Sequence, residues 1–204
     1  MIHGNNLRVR MRLALRLEAI TIAWMVVEAT VAIGAGILAR SVLLLAFGVD
    51  SGIELLSACV LYWRLHREAA ARPGDEAAVE LMERRTARLG GYLLYALALY
   101  VVVQSAYGLL HRNAAETSWL GIGIAVVAAL GMPALARAKI RVAAEIGSRA
   151  LRADAMETIT CGYLSWVLLA GLAAEAVFHW WWLDSAAALV LVPLLIKEGR
   201  EAMS

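Results

Sequence analysis

The chain has 204 residues, 62% of them hydrophobic, with a mean hydropathy of +0.70 and a formal net charge of +2. Apolar residues gathered into runs long enough to cross a bilayer exclude a soluble globule and define an all-α integral membrane protein. The small net charge decides little, and the placement of the charges decides more.

Residues 1–16 form a polar, basic segment with Arg8, Arg10, Arg12 and Arg16. The apolar run at 17–38 is long for a signal-peptide core and lacks a persuasive small-residue cleavage site, so it reads as a retained helix. Further spans are predicted at 41–63, 90–110, 119–136, 155–176 and 180–196, six in all, leaving 197–204 as a short tail. Short links around Arg40 and at 111–118 make their flanking spans antiparallel neighbours. The link at 64–89 is longer and carries charges of both signs, with a break at Pro73-Gly74.

Placing the termini and the two long links on one side gathers all but two of the 19 Lys and Arg residues there. Only Arg40 and Arg112 fall on the other side, and the positive-inside rule then makes both termini cytoplasmic. The basic links lack interleaved aromatics, so no nucleic-acid partner is expected.

The second span carries Asp50 and Glu54 near its middle. Their spacing of four places both carboxylates on one helix face, within reach of a single ion. A carboxylate facing lipid costs about 3 kcal/mol or more, so such a pair marks a functional site. Gly48 and Gly52 form a small-x-x-x-small pattern that lets a neighbouring backbone approach beside the acids. A structural role, with the acids bonded to an Arg or a hydroxyl, is the alternative. The predicted spans contain no central Lys or Arg to neutralise them, which favours a mobile cation or protons.

A second acidic cluster opens the fifth span. Asp154, Glu157 and Thr158 share a face, and Glu157 and Cys161 lie one turn apart. If the second and fifth spans pack together, Asp50, Glu54, Asp154 and Glu157 surround one divalent ion. Four ligands suit zinc, and an all-oxygen set also accepts manganese, iron or magnesium. The alternative for Asp154 and Glu157 is that they cap the start of their helix. Glu28, in the first span, is an accessory ligand, a proton carrier, or a group bonded to a hydroxyl such as that of Ser57. Glu18, Glu116, Glu175 and Asp184 lie near span ends and read as interfacial, with Asp184 capping the last helix. Cys59 and Cys161 make neither a disulfide framework nor a zinc knuckle. Trp180, Trp181 and Trp182 suit the membrane interface.

The stretch from Phe47 to Glu54 (Phe-Gly-Val-Asp-Ser-Gly-Ile-Glu), together with Asp154-Ala155 and Trp182-Leu183-Asp184, resembles the cation diffusion facilitator, or cation efflux, transporters. The resemblance implies a secondary transporter exporting a divalent metal, usually zinc, by proton antiport with alternating access. In it, two residues of the second helix and two of the fifth hold the ion. Asp50 and Glu54 match the first pair, with Glu where Asp is commoner, and Asp154 matches the acid of the second.

Ala150 stands where the family commonly has His or Asp, one turn before Asp154. Glu157 then either supplies the missing ligand or is itself the family's acid in another register. Thr158 and Cys161 join Glu28 as accessory or proton-coupling candidates. The resemblance covers the transmembrane domain only, without the usual cytoplasmic C-terminal domain, so a homodimer would form through the spans. No prosthetic group is expected, the metal being substrate. The plasma membrane is the default location. An intramembrane hydrolase is disfavoured by the lack of a central His, and a non-transporting metal sensor or structural partner is the alternative function.

Overall fold

A computed structural model describes residues 2–69, 76–112 and 114–203, and the side chains of 2–8, 68–69, 76–79 and 82–83 are outside the description. The predicted break at Pro73-Gly74 lies outside the described residues. Six helices follow in order: α1 (Ile2–Ala39), α2 (Val42–Ala69), α3 (Glu76–His111), α4 (Trp119–Ile146), α5 (Arg149–Phe178) and α6 (Leu183–Met203). Five of them, α1 to α5, are long and apolar enough to cross a membrane. In α6, 21 residues long, the last third carries Lys197, Glu198, Arg200 and Glu201, and this keeps it outside that set.

Successive helices run antiparallel, so α1, α3 and α5 begin, and α2, α4 and α6 end, at one face of the bundle. We call this the near face and its opposite the far face. Neighbours in the bundle are α1 with α2, α4 with α5, and α3 with α6, and α2 also touches α3, α5 and α6. The largest buried apolar cluster surrounds α2, with Leu43, Leu44 and Phe47 packed against Leu97, Leu168 and Leu191 from three other helices. Large apolar side chains such as Leu38, Leu99, Leu110 and Val177 point outwards, as a lipid-facing surface requires.

The close α1–α2 contact has a local cause. A Cβ added at Gly48 would stand 2.8 Å from the backbone nitrogen of Ile33, so only glycine permits this approach. The expected partner glycine, Gly52, has open space instead. Gly36 on α1 is the second contact point, where an added Cβ would lie 2.8 Å from the nitrogen of Leu45.

Helix ends are capped according to their sequence. Ser118 accepts from the Gly121 N–H at 3.0 Å, and Ser148 from that of Leu151 at 3.2 Å. Gly147, with φ of 69°, turns α4 into α5 over two residues, because the left-handed region costs glycine nothing. Asp184 departs from expectation. It is buried, and its carboxylate accepts from Ser41 Oγ and, at 2.8 Å, from the Val42 N–H, so it caps α2 from across the bundle.

The helices also outrun the predicted spans. The fourth span was expected to stop at 136, before Arg137, Lys139 and Arg141. Instead α4 continues to Ile146, with Arg137 and Arg141 outside while Ala136, Lys139, Val142 and Ala143 face inwards at helical spacing. Lys139 is therefore 0% exposed inside the bundle. No Lys or Arg was expected centrally in the spans; Lys139 lies beyond the predicted fourth span, yet is buried within the bundle. Glu18, Glu175 and Asp184, expected at the interface, are likewise buried.

Candidate cation site

Asp50 lies in the first third of α2, 1% exposed, and neither of its carboxylate oxygens has a hydrogen-bond partner among the described residues. Glu54, one turn towards the near face, is half-buried, and its Oε2 is also without a partner. Orphaned buried acceptors are uncommon, because each costs about 1–3 kcal/mol and more when charged. A helix that keeps two of them on one face leaves room for a positively charged ligand.

The surrounding groups come from three other helices. Glu28 on α1 is fully buried and held firmly. Its Oε2 accepts from Trp24 Nε1, and its Oε1 accepts from Ser51 Oγ at 2.7 Å and from Cys161 Sγ at 3.7 Å. Of the alternatives read from sequence, bonding to a hydroxyl is observed, but the hydroxyl is Ser51 and not Ser57. The Gly48 contact makes this possible by bringing α1 against the same turn of α2. Cys161 on α5 is buried and also contacts Glu54. Glu157 on α5 and Glu198 on α6 lie within electrostatic reach of both Asp50 and Glu54.

Asp154 is arranged differently. Lys139 Nζ donates to its Oδ2, lies 3.1 Å from Glu18 Oε1, and donates to Thr158 Oγ1 at 3.3 Å. Thr158 in turn donates to the Asp154 carbonyl at 3.0 Å, so it belongs with the lysine and not with Asp50. The four acids expected to share one ion are thus divided. Asp50 and Glu54 stand together with Glu157 within reach, and Asp154 is held by a lysine. No group of three or more His, Cys, Asp or Glu side chains is arranged to hold a metal ion among the described residues.

Two cavities open towards opposite faces of the bundle, and Asp50 lines neither of them. The near one, about 250 Å³, is lined by Ser57, Leu61, Thr86, Ala153, Asp154 and Glu157. The far one, about 540 Å³, is lined by Arg40, Gln104, Tyr107, Arg112, Asp184 and Ser185 among others. At about 1.5 Å rise per residue, Asp50 lies about 8 Å along α2 from Leu45 in the far lining and about 10 Å from Ser57 in the near one.

Sequence reading missed three residues of this region: Lys139, Glu18 and Glu198. Lys139 had a detectable signal, its spacing of three from Ala136 and from Val142 within an inward stripe. Glu18 and Glu198 had none beyond being acids near span ends.

The long apolar helices define a multi-pass membrane protein, with acids buried between them. The sequence profile of the cation efflux transmembrane domain matches residues 19–204, and the chain belongs to the cation efflux family. It is also similar to an uncharacterized transporter, sll1263, of Synechocystis sp., with 29% identity over 160 residues, covering 77% of this chain and 51% of the relative. The chain thus spans about half the length of that relative.

Proposed function

We propose that this protein exports divalent metal cations from the cytosol, zinc first with manganese or iron as alternatives, by proton antiport and alternating access. Asp50 and Glu54 are the anchoring ligands, Glu157 joins them from α5, and Asp154 meets the ion at the near mouth. Glu28 and Cys161 border the site as accessory groups. The termini are cytoplasmic, the membrane is the plasma membrane, and a homodimer would pair through the helices.

The observation that carries the reading is Asp50, a fully enclosed carboxylate with two unpartnered oxygens. A cation or a proton satisfies such a group, and the two compete for it, because metal ligands must be deprotonated to bind. Competition of this kind couples an inward proton gradient to metal release. Cavities on opposite sides of Asp50 suit a site opened alternately to each face. Carboxylates with one thiol nearby accept zinc, manganese or iron.

Zinc flux into proteoliposomes holding the purified protein, under an imposed pH gradient, tests the proposal. Flux should rise with the gradient in wild type and vanish in Asp50→Ala. If no metal moves while wild type still binds zinc more tightly than the variant, the transport reading fails and a non-transporting sensor or partner takes its place.

A further inference from the structure

Beside the Asp50 site lies a second acidic group that already contains a cation. Glu18 from α1 and Asp154 from α5 flank the Lys139 ammonium from α4, with the Thr158 hydroxyl as a further oxygen. Lys139 and Glu18 are 0% exposed, and Ala14, Leu61, Val142, Ala143 and Leu151 form an apolar cluster on the same three helices and α2. Removing two carboxylates and an ammonium from water costs several kcal/mol per ion, repaid only by good geometry and full hydrogen bonding.

That compensation is incomplete. Lys139 donates to Asp154 and Thr158 and pairs with Glu18 Oε1 at 3.1 Å, but Glu18 Oε2 has no hydrogen-bond partner among the described residues despite complete burial. Two carboxyl groups thus share a single ammonium. The oxygens left over form the kind of hard, all-oxygen donor set that divalent cations take. Asp154 also lines the near cavity together with Glu157, while Glu18 does not, so the cluster has a closed side and an open side.

We infer that Lys139 is a tethered cation filling a divalent-cation site formed by Glu18 and Asp154, and that it yields Asp154 to an ion entering past Glu157. The inference rests on the proposed transport reading only for the direction in which the ion then travels, towards Asp50 and Glu54. A lysine suits this task because its ammonium is a compact charge on a flexible stem, able to leave one carboxylate while keeping the other. Glu18, closed off from the cavity, is the carboxylate it keeps.

The test counts bound metal by equilibrium dialysis of the purified full chain against zinc and, separately, manganese. Lys139→Met should bind one more ion per chain than wild type, and adding Asp154→Asn to it should return the count to the wild-type value. An unchanged count in a Lys139→Met protein that is helical by circular dichroism and monodisperse by gel filtration overturns the inference. If that variant does not fold, Lys139→Arg serves instead, since a guanidinium clamps a carboxylate through two parallel bonds and releases it reluctantly. Its zinc association, followed by stopped flow, should slow at least tenfold with the count unchanged, and association at the wild-type rate overturns the inference. The count is a difference between variants, so it reads out whether or not wild type moves metal. Absent flux would remove the transport reading and leave this result standing.

Discussion

Two groups of buried acids sit in this bundle, and they differ in what balances them. Glu18 and Asp154 have a lysine between them, while among the described residues the charged groups within electrostatic reach of Asp50 and Glu54 are other acids. The first group ties α1, α4 and α5 together with the protein's own charge. The second leaves its charge to be matched from outside. Burial alone therefore does not separate the two groups; the presence of an internal counter-charge does.

The contrast is broken most forcefully at the lysine's partner. Asp154→Ala leaves a buried ammonium with Glu18 as its one carboxylate among the described residues, and breaking a buried pair in this way costs about 3–5 kcal/mol. Chemical unfolding in detergent should show that loss, and substituting Glu18, Lys139 and Asp154 together by Leu, Met and Leu should recover most of it. Recovery would establish that the group's stability comes from internal balance and not from any one contact.

Asp50 should behave in the opposite sense. Asp50→Asn removes a charge that has no partner, so the variant should unfold at equal or higher stability, by about 1–3 kcal/mol. Its zinc binding, measured by calorimetry, should nonetheless be lost. A large loss of stability in this variant would mean that Asp50 is structural, and the contrast with Asp154 would collapse.

A smaller effect sharpens the comparison at Glu28. Its carboxylate resembles Asp50 in burial but is bonded by Trp24, Ser51 and Cys161. Ser51→Ala removes one of these bonds, at a cost of about 1 kcal/mol. It should make Glu28 more available to an ion, so zinc affinity should rise by up to about tenfold. Unchanged affinity would leave Glu28 as a brace for the α1–α2 contact.

Some of this was readable in the chain and some was not. The helix count, the placement of Asp50 and Glu54 on one face, and the family resemblance carried by the residues from Phe47 to Glu54 all follow from local patterns. Lys139 was read as part of a charged link, because Arg137 and Arg141 beside it are hydrophilic and a span edge is judged by average hydropathy. What distinguishes Lys139 from those arginines is the side of α4 on which it lies, and an average over neighbours erases that difference. Asp184 was expected to serve its own helix, but Ser41, 143 residues away, is its partner. The sequence points to a close backbone approach at Gly48 and Gly52 without saying which helix makes it; the structure puts α1 at Gly48 and Gly36, since only the crossing point of the two helices selects which glycines meet.

By itself the sequence determined a multi-pass helical protein with paired intramembrane acids. Hydropathy and a spacing of four are properties of single helices, and they need no partner to have effect. Which acid received the lysine and which was left open was decided only by the tertiary structure. Ion pairing depends on the rotation and depth of α1, α4 and α5 relative to one another, and those are set by packing between separate helices, α4 against its sequence neighbour α5 and both against α1 more than a hundred residues away.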